Sequence, residues 1–127
     1  MEYNDVSERL KELKIEDFIW VIYIGIIFLS WIANDLERNF FLNDDLESKE
    51  KYRTIMIIIF SILVVIYLYF YLESISDINK LRRDDTDKKK ILIIISSIAS
   101  LLILISGIIF LIVAILDEDL DVELAFN

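Results

Sequence analysis

The chain is predicted to be all-α: an integral membrane protein whose three transmembrane helices form an antiparallel bundle behind a short interfacial N-terminal helix. Three observations predict it. Hydrophobic residues make up 57% of 127, more than so short a chain hides in water, because small globules leave much of their surface exposed. The charged 28% is confined to residues 1–17, 34–53, 73–90 and 117–123. The apolar runs between those blocks, 18–33, 55–72 and 91–116, suit a hydrocarbon core of about 30 Å, which needs about 20 helical residues. Backbone groups in lipid must pair within their own segment, so the runs are helices although Ile and Val favour strands in water.

The elements follow in order within one membrane domain, residues 1–127. Val6, Leu10 and Leu13 repeat at i, i+4, i+7, and Asp5 with Glu8 has capping-box spacing, which predicts an interfacial helix at about 5–14. The first span covers about 17–35. Six acidic groups against three basic ones precede it, and cleavage after Ala33 would put bulky Trp31 at the −3 position, so a cleaved signal peptide is not expected. Asp44 and Glu47 offer a second capping box, with Glu47 and Lys51 as an i,i+4 pair leading into span two at about 54–73. Ile75, Ile78 and Leu81 extend its apolar spacing, and residues 84–90 read as the turn. Span three covers about 91–116, long enough to tilt or project, and residues 117–127 form an acidic tail. Leu116, Leu120 and Leu124 have helical spacing, whereas Leu120, Val122, Leu124 and Phe126 alternate as in a strand; both readings stay open.

Orientation follows from the basic residues. Arg9, Lys11 and Lys14 share a side with Lys80, Arg82, Arg83, Lys88, Lys89 and Lys90, against Arg38, Lys49, Lys51 and Arg53 on the other. The positive-inside rule then expects a multi-pass protein of the cell membrane, N-terminus cytoplasmic and C-terminus external. Trp20, Tyr23 and Trp31 mark the ends of span one and Tyr67, Tyr69 and Tyr71 the inner end of span two, where amphipathic rings prefer the headgroups. The Ile-, Lys-, Asn- and Asp-rich usage suggests a bacterial source with an AT-rich genome.

Much chemistry lacks its carriers. Without Cys or His there is no thiol nucleophile, no zinc–thiolate site and no imidazole. No ionisable residue interrupts an apolar run, so relays, voltage sensors and charged substrate sites lose their usual groups. Glu16, Asp17, Asn34, Asp35 and Glu37 sit at span ends and read as solvated, and the helix motif of the integral diacylglycerol kinases is not recognisable. The tail's alternate acids begin like a calcium loop, but Val122 stands where such a loop needs Gly. Neither cofactor nor metal is expected, and no small-molecule substrate is identifiable. The acidic chain gives no support for nucleic-acid binding, and the cluster from Lys80 to Lys90 fixes topology.

Ser96 and Ser100 have small-xxx-small spacing, continued every seven residues by Gly107 and Ala114. Small residues let helix backbones approach closely in lipid, where hiding apolar surface gains little, so these four are candidate helix-packing positions. The expected function is non-enzymatic: an oligomer-forming or accessory subunit whose partners are the bilayer and further copies or another membrane protein. Alternatives are a small homo-oligomeric channel or membrane-permeabilising effector, with Ser61, Ser96, Ser97, Ser100 and Ser106 as lining, and an immunity or defence-associated membrane protein.

Overall fold

A computed structural model describes residues 3–124. It is a helical bundle of α1 (Tyr3–Asn43), α2 (Leu46–Asn79) and α3 (Asp87–Leu116), each long and apolar enough to cross a membrane. At 1.5 Å per residue, the 41 residues of α1 extend about 60 Å, well beyond a hydrocarbon core of about 30 Å. Residues 5–14, expected to form a separate interfacial helix, run unbroken into the first apolar segment as part of α1. No Pro or Gly interrupts them. Val6, Leu10 and Leu13 stay exposed on that extension.

The first turn is two residues long. Asp44 takes left-handed backbone (φ 52°), and its N–H closes on the Phe40 carbonyl at 2.8 Å, the usual way to end a helix. That conformation moves the next N-cap from the expected Asp44 to Asp45, whose carboxylate accepts from the Glu47 N–H. The Glu47–Lys51 pair forms at 3.0 Å. The second turn ends at Thr86, which caps α3 by accepting from the Lys89 N–H at 3.2 Å.

Both α1 and α3 pack on α2 and, among the described residues, make no close backbone approach to one another. Ile19, Ile26 and Ala33 are buried on α1, and Ser97, Leu104, Gly107 and Ala114 on α3. Seven-residue steps dominate both sets, the repeat that keeps one stripe against a neighbouring helix at a shallow crossing angle. On α2 the buried Tyr52, Met56, Ile59, Phe60, Leu63 and Ile66 follow i, i+4, i+7, i+8, i+11, i+14, one broad stripe that both neighbours share.

The core is unevenly placed. Its contiguous part, Ile26, Ala33, Tyr52, Met56, Ile59, Phe60, Leu63, Ala114 and Leu124, occupies the half of the bundle nearer the α1–α2 turn. The tail contributes to it. Past Leu116 the chain is neither a continued helix nor a strand: Asp117 accepts from the N–H groups of Asp121 and Val122 at 3.0 Å each, Leu120 turns through φ 57°, and Leu124 folds back to 7% exposure. These bonds end the helix because Asp117 competes for backbone donors. Phe126 lies outside the described residues.

Candidate functional site

Toward the α2–α3 turn the bundle opens. A groove of about 380 Å³ lies over α2 between α1 and α3, within the size range of binding sites. From α1 it takes Arg9, Glu12, Glu16 and Tyr23; from α2, Tyr67, Phe70, Glu73, Ser74 and Asp77; from α3, Ser96, Ser100 and Ile103. Helical periodicity puts each set on one face: Glu12, Glu16 and Tyr23 follow i, i+4, i+11, and Phe70, Glu73, Ser74 and Asp77 fall within two turns. The mouth is acidic and the floor aromatic.

Arg9 is the cation inside this mouth, 3.1 Å from Glu12 and 3.5 Å from Glu16. Lys80 stands beside it, donating to Glu8 at 2.9 Å, and that hydrogen bond raises the Lys80 pKa above its ordinary value. Glu73 forms no ion pair among the described residues, and one of its carboxyl oxygens is shielded from solvent without a hydrogen bond. Carboxylates thus outnumber cations on this wall, and like charges held together favour a cationic visitor. Beneath them Ser74 donates to the Tyr71 carbonyl at 2.6 Å and reaches Ser97 Oγ at 3.3 Å, joining α2 to α3.

The predicted packing residues divide. Gly107 and Ala114 are buried, and Gly107 lies so close to α2 that a Cβ there would stand 2.9 Å from Tyr67 Cδ2. Ser96 and Ser100 face the groove, with Ser100 donating to the Ser96 carbonyl at 3.0 Å. The buried position one turn before Ser100 is filled by Ser97 (5% exposed). Its pairing with Ser74 escaped sequence reasoning, because Ser74 sits in a charged block beyond the apolar run and no local spacing links it to α3.

The basic residues Lys80, Arg82, Arg83, Lys88, Lys89 and Lys90 surround the α2–α3 turn. Asp85 organises them, accepting from the Arg82 N–H at 2.7 Å and from Lys89 Nζ at 3.1 Å. These two bonds, the backbone one foremost, hold its carboxyl below the usual range. Lys90 donates to the Arg83 carbonyl at 3.2 Å, and Lys88 is exposed.

The opposite end is closed. Asn39 donates to Asp45 at 3.0 Å and to Ser48 at 2.8 Å, and Ser48 donates to Asp45 at 2.8 Å. The Ser48 hydroxyl is the main cause of a lowered Asp45 pKa. Arg53 donates to the Ile115 carbonyl at 3.1 Å, and Lys49 meets Asp119 at 3.4 Å. Among the described residues no group of His, Cys, Asp and Glu has the geometry to hold a metal ion. Comparison with family models, curated proteins and solved structures finds no match, so any function read here rests on this chain's own geometry.

Proposed function

We propose that this chain is a multi-pass protein of the cell membrane, N-terminus cytoplasmic and C-terminus external, whose three helices run antiparallel and whose role is association with other membrane helices. It works as an oligomer-forming or accessory subunit and catalyses no reaction. One observation carries the reading: α1 and α3 both pack on α2 without a close backbone approach to each other, and an open groove lies between them. Hydrophobic exclusion from water does not bring helices together in lipid; close packing and polar contacts do. A groove with hydroxyls on one wall and unbalanced carboxylates at its mouth supplies both.

The channel reading has less support. Ser61, Ser100 and Ser106 donate to the carbonyls four residues back, at 2.7, 3.0 and 2.9 Å, so each keeps only its acceptor lone pairs for a further contact, whether with water or with a neighbouring helix. Native mass spectrometry after crosslinking in membranes tests the proposal. More than one chain, or a co-purifying membrane protein, is the expected result, and a lone monomer refutes it.

A further inference from the structure

We infer that the groove between α1 and α3 receives a second copy of this chain, filled by the outward face of that copy's α3 with both copies oriented alike. The inference rests on the association reading above and names its partner.

Charge comes first. The groove mouth gathers Glu12, Glu16, Glu73 and Asp77 with Arg9 as the cation among its lining residues. Residues 80–90 hold six basic and three acidic side chains in a chain of net charge −9. At the start of α3, Lys88 is exposed and forms no ion pair or hydrogen bond among the described residues. This chain therefore carries both halves of a complementary contact, and opposite potentials select partner and register.

Depth comes second. Lys88 stands three residues before the apolar run that begins at 91, Glu16 stands two before the run at 18, and Glu73 directly follows the run ending at 72. Two copies crossing the bilayer in one sense bring these groups to one level. A copy inserted upside down does not.

Shape comes third. Seven-residue steps from Lys88 reach Ile95, Leu102 and Ile109, which are 55%, 59% and 54% exposed. The same repeat places α1 and α3 against α2, so this face has the periodicity of a helix that lies along another. Ala99 and Ser106 flank the stripe, both exposed, and being small they allow close approach. Below the carboxylates, the aromatic floor of Tyr23, Tyr67 and Phe70 gives the stripe an apolar surface to lie on. The two faces are different patches of one molecule, so the contact is head-to-tail and repeats around a ring or along a row.

The test uses the full chain in phosphatidylcholine vesicles. With no native Cys, Leu42→Cys, at an exposed position far from the groove, gives a single label site. Energy transfer between donor- and acceptor-labelled copies is expected to fall as lipid is added. Lys88→Glu, and separately Glu16→Lys with Asp77→Lys, should each raise the protein-to-lipid ratio needed for half-maximal transfer about tenfold. Mixing one variant as donor with the other as acceptor should restore wild-type transfer, because each supplies the face that the other lacks. Unchanged transfer in the separate variants, or no restoration on mixing, overturns the inference. Should a reversal variant lose helical circular dichroism, Lys88→Gln and Asp77→Asn replace them, with about threefold weakening expected from losing rather than reversing a charge. If wild-type copies show no transfer at any lipid ratio while a different membrane protein co-purifies, this inference fails and the association reading stands. No transfer and no co-purifying partner removes both.

Discussion

Replacing Gly107 with Leu should separate α2 from α3, whereas the same change at Gly25 should not. A Cβ at Gly107 would meet Tyr67 Cδ2 at 2.9 Å, Tyr67 Cε2 at 3.1 Å and Val64 Cγ2 at 3.5 Å, while one at Gly25 would meet nothing within 4 Å. The first distance is shorter than carbon atoms tolerate, and three more carbons follow the Cβ. The Tyr67 ring must swing into the groove or the helices must part. Overpacking of this kind costs about 1–3 kcal/mol. Gly→Leu also favours helix by somewhat under 1 kcal/mol, but that gain applies at both sites and cancels in their difference. Gly107→Leu should therefore be less stable than Gly25→Leu by about 1–3 kcal/mol. Reversible denaturation in mixed micelles, followed by energy transfer between single introduced cysteines on α2 and α3, reads this difference directly. Equal midpoints for the two variants would refute the claim that Gly107 marks a close helix contact.

Three other expectations are independent of that one. Ser48→Ala removes two hydrogen bonds from a residue only 5% exposed and should lower stability in the same assay by about 1–2 kcal/mol; the wild-type turn should lose stability as pH falls through the depressed Asp45 pKa, and Ser48→Ala should blunt that acid transition, because a carboxylate with a lowered folded pKa stabilises only while ionised. Leu124→Ala uncovers the core beside Tyr52 and Ala114, at a cost of about 1–2 kcal/mol, and should hasten proteolysis within residues 117–124 from the side on which the tail lies; an unchanged cleavage rate would show that the tail is not held there. Converting Arg82, Arg83, Lys88, Lys89 and Lys90 to Gln leaves Arg9, Lys11, Lys14 and Lys80 to balance Arg38, Lys49, Lys51 and Arg53, so reporters fused to either terminus should change from one compartment to both.

Helix number and position were legible because each depends on a local property, the length of an uncharged apolar run, which folding does not alter. Gly107 and Ala114 stood out in sequence because small residues are few in so greasy a run, and both are buried. Much else depended on pairs distant in sequence. The two lysines that reach α1 and the tail, Lys80 to Glu8 and Lys49 to Asp119, span 72 and 70 residues. The burial of Leu124 needs Asp117 to capture two backbone donors first, and periodicity alone left helix and strand tied. The groove was hidden for the plainest reason. Glu12 with Glu16 and Glu73 with Asp77 look, in sequence, like solvated acids at the ends of two separate runs.

Those four carboxylates acquire meaning from the contrast between the two ends of the bundle. At the α1–α2 end, Ala33 and Ile59 are 0% exposed and Met56 is 1% exposed; the Asn39–Asp45–Ser48 knot and the returning tail cover what remains. A two-residue turn holds α1 and α2 together there. At the other end the turn runs over residues 80–86, α2 and α3 meet through the Ser74–Ser97 contact, and α1 is tied to α2 by the exposed Lys80–Glu8 pair. Exposed pairs contribute little, about 0–1 kcal/mol, so where the carboxylates gather α1 is held chiefly by the burial of Ile19. A self-contained bundle would gain by closing this end as tightly as the first. Mutual repulsion of Glu12, Glu16, Glu73 and Asp77 works against closure and weakens as soon as a cation enters. On the association proposed above, a basic side chain from a neighbouring copy would relieve that repulsion and close the open end.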